Sequence, residues 1–168
     1  MNELYAVLMS WAVSLSGLSP PGAMPSVERV SHEYLIKSAC NGSECKVLGW
    51  FPPGQIIYVD DRMNVQDDLL ASSIVVHEMV HFLQFEARDE LPPPDCETIL
   101  AMERQAYLVQ RQFLQMYGSF RTVGAAMHGA NCRSDTDEHA QIASPRSPMG
   151  MNARPTTASV AMQHISGE

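Results

Sequence analysis

The stretch Ile74-Val75-Val76-His77-Glu78-Met79-Val80-His81-Phe82-Leu83 leaves the rest of the chain little freedom. Its apolar residues fall on every side, which suits a helix buried nearly all round. Yet it carries three ionisable side chains, and burying these is costly unless something binds or pairs them. In a helix, His77 and His81 stand four apart on one face, one turn above the other. That spacing lets two imidazole nitrogens meet one zinc ion at about 2.0–2.1 Å each. Glu78, one residue on, points beside the metal, where a carboxylate can take a proton from an activated water.

A catalytic zinc needs three protein ligands and one open position, so a third donor has to come from elsewhere. Downstream, Leu91-Pro92-Pro93-Pro94 forces an extended break, because each proline disfavours helix in the residue before it. Asp95 is a good N-cap for a second helix, expected to run to about Tyr117 with Gly118 just beyond its end. Ile99, Ala106, Phe113 and Tyr117 form its apolar stripe, and Glu103 and Gln110 lie inside that stripe. A carboxylate on a core-facing side is rarely tolerated unless paired or on a metal, which makes Glu103 the expected third ligand. Glu97 lies roughly 120° around the helix from Glu103, and its first-turn position suits the helix dipole without any metal. Cys96 shares the face of Glu103 one repeat earlier, as an alternative ligand or a buried small residue.

A helical HExxH followed by a helix with Glu at the head of an ExxA pattern resembles the gluzincin metallopeptidases. The chain is similar, too, to a small group of uncharacterised bacterial gluzincin-like proteins with helix, strands, motif helix and Glu helix in this order. The resemblance covers roughly residues 1–120, and its specific part is confined to 77–107. It implies that His77, His81 and Glu103 bind zinc and that Glu78 is the general base and acid of peptide hydrolysis. Family members often carry Asp four residues after the ligand Glu, where it supports a ligand His. This chain has Tyr107 there.

The remaining sequence is expected to support this pair of helices in an α+β domain over residues 1–128. Leu4, Leu8, Trp11, Leu15 and Leu18 fall at helical spacing and predict an amphipathic helix ending near Gly17. The segment lacks the positive start of a signal peptide and falls short of the roughly 20 apolar residues of a membrane span. An export signal is the competing reading of it, and the cytoplasm is the default location. Val27 to Ile36 is weakly β-like. Val47–Phe51 and Gln55–Val59 flank Pro52-Pro53-Gly54 and predict a hairpin, whose sheet either holds an extended peptide at its edge or merely covers the motif helix. Asn64 and Asp67 are the candidate N-caps of the motif helix, expected to run to about Glu86.

Cys40 and Cys45 flank a turn-like Asn-Gly-Ser-Glu and either close a small loop or stay free, whereas Cys96 and Cys132 are too distant in sequence to pair by inspection. Arg121 to His128 extends or follows the Glu helix. His128 is a candidate oxyanion donor, though a surface position is the plainer expectation. His32, His139 and His164 are assigned no role. Residues 129–168 lose all periodicity and are expected to form a disordered tail. The net charge of −8 disfavours a nucleic-acid binder. The leading expectation is a zinc-dependent peptidase acting on a peptide or protein, with no membrane span. The alternative is a catalytically inactive zinc-binding interaction or regulatory protein.

Overall fold

In the computed structural model, which describes residues 2–88 and 92–132, the HExxH helix is the axis on which everything else packs. This helix, α3 (Leu69–Glu86), buries every residue from Ala71 through Gln84. Its cap lies one residue after Asp67 and four after Asn64. Asp68 is the N-cap and accepts from the Leu70 and Ala71 N–H groups at 2.8 and 3.4 Å. Asn64 and Asp67 instead form the preceding turn, with the Asn64 carbonyl accepting from the N–H groups of both Asp67 and Asp68. The alternatives at Asn64 and Asp67 fail because only Asp68 reaches the first orphan amides of the helix.

Two helices flank α3. Helix α1 (Asn2–Ser16) lays Leu8, Met9 and Ala12 on the core and stops where expected, at Gly17 with φ of 71°. Helix α4 (Cys96–Met116) is capped by Asp95, whose side chain accepts from Thr98 N–H at 2.9 Å. It ends at Tyr117, followed by Gly118 in the left-handed region. Its buried face holds Glu103, Ala106, Tyr107, Val109, Gln110, Phe113 and Leu114. Tyr117, expected inside that stripe, is 54% exposed and meets only the edge of Trp11 and the ring of Phe113. Such a core is sensitive to truncation: replacing the fully buried Phe82 by Ala would cost about 3–5 kcal/mol.

The fold class is α+β, as expected. Strands β1 (Ser26–Val30), β2 (Gly49–Trp50) and β3 (Ile56–Asp60) form a mixed sheet of order β1-β3-β2. The hairpin through Pro52-Pro53-Gly54 pairs Gly49 with Val59 and Trp50 with Tyr58, antiparallel. Strand β1 runs parallel to β3, with Ser26 opposite Ile56 and Val30 opposite Asp60. Parallel strands need a crossover, and part of the segment expected as a strand provides it. The strand reading of 27–36 therefore fails after Val30. Ser31 caps α2 (His32–Ala39), accepting from Tyr34 N–H at 3.2 Å, with Glu33 in the first turn and Lys37 in the last. Leu35, Ala39, Cys40 and Val47 make a small satellite core there, closed by a Cys40–Cys45 disulfide.

Strand β3 ends on a buried carboxylate. Asp60 is fully buried and accepts from Arg62 Nε and Nη2 at 2.8 and 2.6 Å, and its Oδ2 meets His32 Nδ1 at 2.8 Å. Burial alone would raise this carboxyl, but the hydrogen bonds and charge of Arg62 bring it below its ordinary value.

After Gly118 the chain does not extend α4. It turns back and runs along it as a strap that includes a 3-10 turn, Ala125–His128. Arg111 donates to the Val123 carbonyl, Gly124 lies on the Tyr107 ring, Arg104 donates to the Ala130 carbonyl, and Cys132 is disulfide-bonded to Cys96. The pairing of Cys96 with Cys132 was not expected from their separation in sequence; the reversal of the chain brings them together. Residues 129–132, expected in the tail, are thus tied to α4. The rest of that tail, with His139 and His164, lies outside the described residues. No helix among the described residues is long and apolar enough to cross a membrane.

Candidate metal centre

The two central helices are in register where it matters. Glu103 on α4 faces His77 and His81 on α3, and the three side chains are only 8%, 4% and 3% exposed, respectively. His81 Nε2 lies 3.1 Å from His77 Nε2 and 3.3 Å from Glu103 Oε1, and His77 Nε2 lies 3.6 Å from Glu103 Oε2. Tetrahedral donors bound at about 2.0–2.1 Å stand roughly 3.3–3.4 Å apart. The shortest separations are close to that, with a different Glu103 oxygen nearest each imidazole, and one donor atom from each of the three residues lies within 4.8 Å of the others, so the three could hold one metal ion. Two neutral imidazoles and one carboxylate form a donor set that suits zinc and other first-row divalent ions.

His81 is held from behind by a carboxamide, and a second carboxamide stands beside His77. Gln84 Oε1 accepts from His81 Nδ1 at 2.9 Å, while its Nε2 donates to the Met102 carbonyl and to Gln105 Oε1 at 3.0 and 2.9 Å. Gln105 in turn donates to the Ser16 carbonyl at the end of α1. On the other side Gln110 hydrogen-bonds the His77 ring and donates to Ser73 Oγ at 3.1 Å; that hydroxyl donates to the Leu70 carbonyl. Protonating His81 on Nδ1 leaves its Nε2 lone pair for the centre of the triangle. Tyr107 stands where an acid was expected, and its ring meets His77 edge-on with centroids 4.4 Å apart. Burial first, then the charges of Glu103 and Glu78, keep its phenol protonated.

Burial lowers the pKa of His77 despite the nearby Glu103. Burial opposes protonation of His81 too, but the adjoining Glu103 and Glu78 outweigh it and lift His81 to about 9. A proton on His81 thus does part of what a metal would do, and the two compete.

Glu78 lies beside the triangle, 2% exposed. The Phe51 backbone N–H hydrogen-bonds its carboxylate, and its Oε2 is buried with no hydrogen-bond partner among the described residues. Burial, with some help from Glu103, pushes the carboxyl up to about 8. Strand β2 reaches this close because residue 49 is Gly: a Cβ there would stand 2.8 Å from Glu78 Oε1 and 2.9 Å from Ile74 Cγ2.

All four residues expected at the centre are therefore together. The competing donors are not: Cys96 is consumed by its disulfide, and Glu97 is exposed in the first turn of α4. His128 is exposed on the strap, and His32 is bound to Asp60. Sequence reasoning missed Gln84, Gln105 and Ser73, and passed over the significance of Gln110. The signal was present, since a glutamine inside a helix buried on all sides needs a partner as a glutamate does. No family model, curated protein or solved structure matches the chain.

Proposed function

We propose that the protein is a zinc-dependent peptidase. What carries the reading is the juxtaposition of two kinds of group: three buried donors close enough to share one ion, and a buried carboxylate beside them that is not one of the three. Zinc held by His77, His81 and Glu103 would supply Lewis acidity and a water of pKa near about 7. The chain's own residues do the rest. Glu78 accepts a proton from the attacking water on its Oε2, which has no other hydrogen-bond partner among the described residues, and returns it to the leaving amine. Phe51 N–H holds the other half of that carboxylate in place. Gln84 and Gln110 fix the two imidazole rings, a task that an acid at position 107 would otherwise share. Apolar packing from α1, α4 and the sheet excludes bulk water from the donors. The two disulfides suit a protein that works in oxidising surroundings.

The test is Glu78→Gln beside Glu103→Ala. The first is expected to keep about one zinc per chain and lose peptide hydrolysis, the second to lose most of its zinc. Full hydrolysis by the Glu78→Gln protein would reject the mechanism. A second reading, a metal-binding module without catalysis, is favoured by the burial of the triangle. It predicts stoichiometric zinc and no hydrolysis of any member of a diverse peptide library.

A further inference from the structure

A cavity of about 1010 Å³ opens between the loop before β2, the N-terminal half of α3, the middle of α4 and the strap. Its floor touches the candidate centre on both sides. Tyr107 and Gln110 line it and lie against His77. Ile74 lines it too and packs beside Glu78 at the Gly49 contact. A ligand in the cavity therefore rests against the residues that flank both the metal triangle and the proton carrier.

The apolar floor contrasts with the rim. Lys46, Arg62 and Arg121 converge there from three separate elements, in a chain whose net charge is −8. Glu44 is the one acid lining the same space. Arg62 is not a loose surface cation, because buried Asp60 grips Nε and Nη2 while the side chain stays 60% exposed. The grip offsets part of its charge but fixes the direction of the remaining N–H groups. The same carboxylate holds His32 at the rim. A guanidinium held in one direction by a buried acid can present its remaining N–H groups to a carboxylate, here beside an apolar floor that suits an apolar side chain.

We propose that this cavity binds a carboxylate of the substrate, so that the enzyme acts on peptides bearing an acidic group beside an apolar residue. The proposal rests on the peptidase reading for its consequence but not for its test. The carboxylate comes from a Glu or Asp side chain or from the free C-terminus of a short peptide, and the experiment separates the two.

Zinc-loaded Glu78→Gln protein is titrated calorimetrically with acetylated alanine hexapeptides that contain one leucine. Glutamate or glutamine is placed at each position in turn, and every peptide is made as the free acid and as the amide. At low salt the best glutamate peptide is expected to bind about fivefold to tenfold more tightly than its glutamine twin. Salt should shrink that ratio, and Arg62→Met combined with Lys46→Met and Arg121→Met should bring it below about twofold, whereas Lys46→Met with Arg121→Met alone should reduce it only in part. If free acid against amide carries the ratio instead, the C-terminus is the ligand. Equal affinity in both comparisons overturns the proposal, as does a preference that survives the triple substitution. Absence of any binding overturns it as well, while hydrolysis by the unsubstituted protein would leave the peptidase reading standing. Carboxylate-dependent binding without hydrolysis has the opposite meaning: the cavity stands and the peptidase reading falls.

Discussion

Replacing Glu78 by Gln in metal-free protein should stabilise the fold, and only at high pH. Burial is the main reason that the Glu78 carboxyl rises from 4.5 to about 8; the charge on His81 pulls it down, Glu103 adds to the rise, and Phe51 N–H offsets it in part. A group raised on folding makes its full contribution below its unfolded pKa and loses it as pH climbs through the folded value. At about 1.4 kcal/mol per pKa unit, Glu78 alone should cost the metal-free protein about 4 kcal/mol between about pH 5 and about pH 8.5. His81, lifted from 6.5 to about 9, adds a slope of the same sign over a higher window, and His77, lowered by burial, adds the opposite sign below 6.5. Both histidines remain in the variant, and because Glu78 helps to lift His81, the difference between the two proteins reports the carboxyl together with its coupling to His81. A glutamine of the same shape keeps the acceptor that faces Phe51 N–H and has no charge to bury. Urea unfolding in the presence of a chelator should find the two proteins within about 1 kcal/mol at about pH 5, with the Gln variant ahead by about 3–4 kcal/mol at about pH 8.5. Parallel stability curves across that range would refute the claim that Glu78 is held in a dry, uncompensated place. The expected trade of stability for a reactive acid is common at catalytic sites.

Gln84→Leu should weaken zinc about 10–100-fold in competition with a chromophoric chelator, because the His81 ring loses its orienting acceptor; unchanged affinity would mean that packing alone sets the ring. Gly49→Ala drives a methyl into Glu78 and Ile74, and should cost about 1–3 kcal/mol in urea unfolding. A neutral result would show that β2 can retreat. Cys96→Ser with Cys132→Ser removes a link across 36 residues and should lower stability by up to about 4 kcal/mol, read as a drop in melting temperature. No change in that temperature would mean that the Arg111 and Arg104 contacts hold the strap unaided.

The centre was legible in the sequence because burial forbids idle charge. Glu103 falls within the apolar stripe of α4, and only a partner across the interface explains it there. The same logic extends to Gln84 and Gln110, which are uncharged and so draw less notice than a carboxylate. Helix ends were legible wherever a single residue does the capping, as at Asp95 and Gly17. The start of α3 was not, since three neighbouring side chains at 64, 67 and 68 can all cap and only the backbone decides among them.

What the sequence concealed is long-range. Whether Val27–Ile36 is one strand or a strand and a helix depends on β1 lying parallel to β3, which no local pattern specifies. The Cys96–Cys132 link depends on the chain reversing after Gly118, and that reversal also builds one wall of the cavity. The candidate metal ligands and the proposed proton carrier come from two helices whose periodicity can be read residue by residue. The surface that would select a substrate comes instead from loop, sheet end and strap, which share no period. Chemistry was therefore accessible from spacing alone, whereas specificity becomes arguable only once Lys46, Arg62 and Arg121 are seen to surround one space.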